Sequence, residues 1–143
     1  MRLHIVTVGK PKLAYAQLGW DDYLGRLQRL HTIRVTQLAD KYADDTSKIL
    51  EAVSGTYIVA LEITGTMLDS HELTNFLTAR ELDAKEVSFI IGGPDGIPQT
   101  VRERAMYLWS LSRLTLPHDL AMVVTLEALF RASTIKAGLP YHR

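Results

Sequence analysis

Three short stretches of this chain are apolar without alternation: Ile5-Val6, Tyr57-Ile58-Val59 and Phe89-Ile90-Ile91. A strand covered on one side alternates apolar and polar residues, whereas an unbroken apolar strand is buried on both faces. Such strands need helices above and below them, which narrows the fold to an α/β sheet. Strand-length runs recur at Leu3–Val8, Ile33–Leu38, Tyr57–Ile63, Val87–Ile91 and a short Arg113–Leu116, predicting about five or six strands. Helical spacing lies between them over Tyr15–Leu30, Ser70–Leu82 and Gln99–Trp109. Asp69 or Ser70 suits the N-cap of the second of these, and Pro98 suits the first turn of the third. Asp119 is placed to cap a long final helix that Gly138 and Pro140 would close. Strand and helix thus alternate, the pattern of a mostly parallel open sheet flanked by helices.

No linker, repeat or low-complexity tract divides the chain, so residues 1–143 read as a single domain. Composition closes off several chemistries. There is no cysteine, hence no thiolate nucleophile and no disulfide, and the five histidines lack metal-ligand spacing. No metal is therefore expected. The apolar opening Met1–Gly9 is too short for a secretion signal and no run suits a membrane span, so a cytoplasmic protein without a membrane partner is expected. Formal net charge is zero, which by itself offers nothing to nucleic acid. The charge is uneven, however. From Ile97 onward Arg102, Arg104, Arg113, Arg131, Lys136 and Arg143 outnumber Glu103, Asp119 and Glu127.

In an open parallel sheet, ligands bind beyond the carboxyl ends of the strands. Three such ends carry unusual chemistry: Leu61-Glu62-Ile63 with Thr64-Gly65, Gly92-Gly93-Pro94-Asp95-Gly96, and Leu114-Thr115-Leu116-Pro117-His118. The glycine loop lacks the phosphate-loop and dinucleotide spacings, and a plain Pro-Asp-Gly turn would explain its second half. The two glycines ahead of that turn suit close backbone approach to a ligand. His118 stands just before a helix N-terminus, a position favouring a neutral imidazole and a nearby anion, though a bond to local backbone would also account for it. Arg131 lies on the most apolar helix, where Glu127 four residues earlier is its natural partner. The terminal Tyr141-His142-Arg143 is too short to be specific alone.

Taken in order, Ile90-Ile91-Gly92-Gly93-Pro94-Asp95-Gly96, Trp109-Ser110-Leu111-Ser112 through Thr115-Leu116-Pro117-His118, Leu129-Phe130-Arg131-Ala132 and Pro140-Tyr141-His142-Arg143 form a distinctive set. This set closely resembles the ribosomal RNA large subunit methyltransferase H family of the SPOUT superfamily. Leu3–Gly9 and Val59–Gly65 fit the same family, so the likeness spans essentially the whole chain. The resemblance implies a SPOUT-type α/β knot, with the C-terminal part threaded into a trefoil, assembled as a homodimer. It also implies S-adenosylmethionine-dependent methylation at N3 of a pseudouridine in 23S ribosomal RNA on the assembled ribosome.

Carried across motif by motif, the resemblance places the cofactor against Leu61, Gly92, Gly93 and the segment Leu111, Ser112, Arg113, Leu114, Thr115 and Leu116. His118, Arg131, Tyr141, His142 and Arg143 match the family's substrate-side, catalytic residues. Proton removal from the base would fall to His118 or His142, with Arg131 and Arg143 on carbonyl or phosphate oxygens and Tyr141 against the base. The chain departs from the family between Leu38 and Ser54, where relatives usually carry a longer helical connection and where Asp40, Asp44 and Asp45 cluster. Two alternatives remain: a SPOUT methyltransferase acting on another rRNA or tRNA position, and a non-catalytic ribosome-associated binding module.

Overall fold

The unbroken apolar runs form the middle of the sheet. In the computed structural model, which describes residues 1–83 and 85–143, five strands are laid side by side. They are β1 (Arg2–Val8), β2 (Thr32–Leu38), β3 (Tyr57–Met67), β4 (Val87–Ile91) and β5 (Tyr107–Ser110). Their order is β2-β1-β4-β3-β5, and every pairing between these strands is parallel. The helices are α1 (Ala14–Gln28), α2 (Thr46–Ala52), α3 (Ser70–Leu82), α4 (Gln99–Arg104) and α5 (His118–Ala137).

Strand alternation sorts the core into two layers. Leu3, Ile5, Val59, Val87 and Phe89 face Trp20, Leu27, Leu73, Leu77, Met122, Leu126 and Leu129 from α1, α3 and α5. Val6, Val8, Ile58, Ala60 and Ile90 face the other way, onto Ile49, Val53, Ile97 and Val101 around α2 and α4. Each large side chain fully buried in this way contributes about 1.5–3 kcal/mol. Helix α3 opens with a reciprocal capping box: the Asp69 carboxylate accepts from Glu72 N at 2.7 Å, and Glu72 accepts from Asp69 N at 2.9 Å. Helix α5 closes as a Schellman turn, with Gly138 at φ +70° and Leu139 N donating to Thr134 O.

The structure corrects three elements read from sequence. The fifth strand is Tyr107–Ser110 rather than Arg113–Leu116, and α4 stops at Arg104 instead of running to Trp109. Tyr107 and Trp109 lie two apart, and both turn to one face, against Phe76 and Phe89, so a period-2 signal sat inside an apparent helical one. Asp119 is not the cap of α5, which starts at His118 after Pro117. Its carboxylate instead accepts backbone N–H bonds from Lys12 and Leu13, at 2.8 and 2.7 Å. The acidic segment after β2 holds a short 3-10 turn at Asp40–Tyr42 and then α2, whose Ile49 plugs the second core layer.

Two of the histidines outside the sequence motifs are structural. His4 lies inside the sheet between Ser88 Oγ (3.0 Å) and Thr36 Oγ1 (2.7 Å), and Ser88 continues to Thr56 at 2.7 Å. Thr56 donates to Val53 O, so protons run from Ser88 to Thr56 and from His4 Nδ1 to Ser88, leaving Nε2 as acceptor. Burial, followed by the charge of Arg34, pushes this imidazole below its usual range. His31 donates from Nε2 to Ser133 Oγ at 2.7 Å, while its Nδ1 faces the terminal ammonium of Met1 at 3.5 Å. Burial first, then that ammonium and Lys136, lower the His31 pKa to about 4. A group held neutral in the fold but ionisable near 6.5 when unfolded contributes stability above the unfolded value. Stability is therefore expected to fall as pH drops from about 6.5 towards 4. Thermal melts of His31→Gln across that window should show a flatter pH dependence than the parent; an unchanged slope would refute the assignment.

Candidate active site

Beyond the carboxyl end of β4, beside the bulge of β3, lies a cleft of about 330 Å³. Leu61 and Ile63 from β3 form one wall, and Ile91 with the Gly92–Gly96 loop forms another. The third is the irregular segment 111–116, which contributes Leu111, Ser112, Leu114, Thr115 and Leu116. His118, at the start of α5, stands at one end. Nine residues singled out from sequence therefore converge here: Leu61, Gly92, Gly93, Leu111, Ser112, Leu114, Thr115, Leu116 and His118.

The glycine loop is tight because its backbone folds on itself. Gly96 N donates to Gly93 O at 2.9 Å, and Gly96 adopts φ +87°, a left-handed conformation that glycine takes without strain. A Cβ at Gly92 would sit 2.7 Å from the Gly96 carbonyl, whereas one at Gly93 would meet only Ala43 and Val8 side chains, at 3.2 and 3.7 Å. Gly92 is thus required by the loop's own path.

Arg113 does not line the cleft. Its guanidinium turns back to donate to the carbonyls of Ile63 and Gly65, the latter at 3.0 Å. Those carbonyls are available because β3 bulges away from β5 between Leu61 and Thr66. Ser110 Oγ contacts the same Ile63 carbonyl at 2.9 Å and Ser112 O at 3.0 Å. Arg113 therefore staples segment 111–116 to β3 and shapes the cleft from behind. The Ser112 hydroxyl accepts from Leu114 N at 2.9 Å, fixing the turn between them.

His118 Nε2 lies 2.8 Å from the carbonyl of Val8 at the end of β1. A carbonyl only accepts, so Nε2 carries the proton and Nδ1 is the basic nitrogen. Two further wall residues, Glu62 and Arg102, which sequence placed only in a strand end and in the charge balance without a role, pair at 3.2 Å. Their signal was a carboxylate at the end of an apolar strand and an arginine on the helix after the glycine loop.

The other four residues lie elsewhere. Helix α5 has 20 residues and so spans about 30 Å, with His118 at its start and the tail at its end. Arg131, about 20 Å along this helix from His118, pairs with Glu127 at 2.7 Å and lies over the Tyr141 ring at 4.7 Å, and that pairing holds its guanidinium firmly protonated. Tyr141 stacks edge-on against Phe130 at 4.8 Å. Its hydroxyl donates to Glu127 at 3.2 Å and accepts from Tyr23 at 3.1 Å. Burial, then these bonds, push its pKa up to about 12. His142 accepts from Arg131 Nη1 at 3.3 Å and meets the His71 ring at 5.2 Å. Arg143 is exposed beyond them. The tail is thus docked on its own helix, and Tyr23, Glu127 and His71 are the neighbours that hold it. Tyr23 had the spacing of a core position, which concealed this use.

Comparisons with known proteins agree with this architecture. The family model described as "Predicted SPOUT methyltransferase" matches residues 1–142. The Deinococcus radiodurans protein named ribosomal RNA large subunit methyltransferase H is 49% identical, covering 100% of this chain and 99% of its own. A Thermus thermophilus protein of the same name is 41% identical, again over 100% and 99%. A solved structure of a probable methylase family protein from Haemophilus influenzae superposes with a TM-score of 0.58. It covers 99% of this chain and 70% of its own at 10% identity, a likeness of fold alone. With a family model running from residue 1 to 142 and relatives aligned end to end, this chain belongs to the SPOUT methyltransferase family.

Proposed function

We propose that this chain works as one domain that transfers a methyl group from S-adenosylmethionine to N3 of a pseudouridine in 23S ribosomal RNA. The observation that carries this reading is the full-length match to relatives named ribosomal RNA large subunit methyltransferase H. The cleft supports it independently. Segment 111–116 offers irregular backbone along the cleft to meet an adenine, and Leu61, Leu111 and Leu116 offer apolar cover. When bound there, the cofactor supplies an electrophilic methyl on a sulfonium.

The chain's residues must then hold the base in line with that methyl and accept its N3 proton. Holding the reacting atoms in line contributes several kcal/mol or more of barrier reduction. His118 suits the proton transfer, since its bond to Val8 leaves Nδ1 basic. His142 is less suited, because Arg131 already donates to its Nδ1. Arg131 and Arg143 would meet carbonyl or phosphate oxygens, and Tyr141 the base.

Within one chain these groups stand away from the cleft: Arg131 is about 20 Å along α5 from His118, and Tyr141 is docked on Glu127 and Phe130, about 14–18 Å along. A homodimer is part of this reading: a second copy delivers its tail to the first chain's cleft. Leu18 and Leu114, at 73% and 74% exposure, leave apolar surface for such a partner. The trefoil threading belongs to the same reading. Work on the assembled ribosome, in the cytoplasm, belongs to it as well, and the zero net charge suits a preformed site better than free RNA.

Calorimetry should show S-adenosylmethionine binding, and mass spectrometry of ribosomal RNA from cells lacking this chain should show loss of N3-methylpseudouridine. An unchanged modification level, with no second enzyme present, would refute the specific reaction.

A further inference from the structure

The cleft contains an ion pair that neither the fold nor methyl transfer requires. Glu62 lies in β3 at the bulge that begins after Leu61, and Arg102 projects from α4 to place Nη1 3.2 Å from its Oε2. Thr64 donates to the other carboxylate oxygen, Oε1, also at 3.2 Å. Both Glu62 and Arg102 line the cleft, where the Glu62 side chain is only 13% exposed and that of Arg102 37%. Apart from Asp95, which is exposed, theirs are the permanently charged side chains on the cleft wall among the described residues. Leu61, Ile63, Ile91 and Leu111 make up much of the remaining surface. Withdrawing a carboxylate this far from water is costly, and one half-exposed arginine offsets that cost poorly. The pair gains more when a second set of opposite charges joins it.

We propose that Glu62 and Arg102 together bind the zwitterionic amino-acid head of the cofactor. Glu62 accepts from the α-ammonium and Arg102 donates to the α-carboxylate. This inference rests on the adenosyl-binding reading above. The fit is geometric and electrostatic. An α-amino acid carries its two charges one carbon apart, and Glu62 and Arg102 present the opposite charges in contact. Laid antiparallel, each of the four charges has an opposite neighbour on two sides, and none is desolvated alone. Thr64 and the mutual contact hold both side chains in place beforehand, so little ordering is left for binding to supply. Adenosyl recognition by segment 111–116 and head recognition by Glu62 and Arg102 are then separate contributions.

That separation gives the test. S-adenosylhomocysteine carries the head; 5′-methylthioadenosine keeps the adenosyl thioether and lacks it. By calorimetry the unmodified protein is expected to bind the first about tenfold or more tightly than the second. Arg102→Gln and Glu62→Gln should each cut that ratio by about threefold or more, while affinity for 5′-methylthioadenosine stays within about twofold. Arg102→Lys should keep part of the preference, since it keeps the charge and loses the fork. Equal weakening of both ligands, or a ratio near one in the unmodified protein, overturns the proposal while leaving adenosyl binding intact. Binding of neither nucleoside refutes the adenosyl reading itself, and this inference with it.

Discussion

Gly92→Ala is expected to abolish measurable cofactor binding while Gly93→Ala leaves it nearly intact. The two glycines are adjacent and looked equivalent in sequence, yet their surroundings differ in kind. The new methyl at 92 would lie 2.7 Å from both the carbon and the oxygen of the Gly96 carbonyl, and 2.8 Å from Ile97 Cγ1. The carbonyl is backbone, and its loop is pinned by the Gly96-to-Gly93 hydrogen bond. It cannot swing aside as a side chain would, so the loop must open. Overpacking of this kind costs about 1–3 kcal/mol. A wall displaced by about 1 Å can cost on the order of a hundredfold in function. At 93 the methyl meets the Ala43 Cβ at 3.2 Å, and a shift of a few tenths of an ångström relieves it. Thermal melts should show Gly92→Ala lowered by several degrees, roughly 3 °C or more. Calorimetry with S-adenosylmethionine should show a fall of about a hundredfold or more. Binding by Gly92→Ala within twofold of the parent would mean that the loop is more pliable than its geometry indicates.

Removing Tyr141, His142 and Arg143 should have the opposite profile: methylation of ribosomes falls by about a thousandfold or more while cofactor affinity stays within about twofold. The reason is distance. The tail packs on Phe130 and Glu127 midway along α5 and on Tyr23 of α1, and none of these lines the cleft. Losing those contacts costs about 1–2 kcal/mol, a sum of one aromatic pair and its hydrogen bonds. The variant should therefore fold. Tyr141→Phe serves as the gentler companion, since it keeps the ring against Phe130 and removes only the hydroxyl. Near-parental turnover by the truncated chain would show that the tail does not meet the substrate.

Much of this architecture was readable because burial on both faces leaves a plain signature. Ile5-Val6, Tyr57-Ile58-Val59 and Phe89-Ile90-Ile91 became β1, β3 and β4, the inner strands of the sheet. The edge was harder. Tyr107–Ser110 pairs on one side only and is four residues long, so packing of Tyr107 and Trp109 decided its state against a helical context. Arg113–Leu116 looked like a strand by composition, yet segment 111–116 is held by Ser112 and Arg113 side chains, contacts that hydrophobic spacing cannot announce. For the same reason Arg113 was grouped with ligand contacts: a motif shows that a residue belongs to a site, not which way it points. The tail's polar residues were recognisable as a set, but their separation from His118 depends on α5 being one unbroken helix.

The long-range ties around His118 also bear on how the protein is made. The imidazole is held by the carbonyl of Val8, 110 residues earlier, and Asp119 clasps the amides of Lys12 and Leu13 across 107 and 106 residues. Strand β1 likewise pairs with β4, so Leu3 waits for Val87. During synthesis β1 and the loop after it cannot complete their partnerships until α5 has followed. Parallel pairings across such separations close slowly, since the entropy of the loop is spent before the contacts form. A chain stalled before α5 holds all five strands of the sheet but no finished cleft, which still lacks His118. Maturation of the site is an event of the completed polypeptide, and partial products are not partial enzymes.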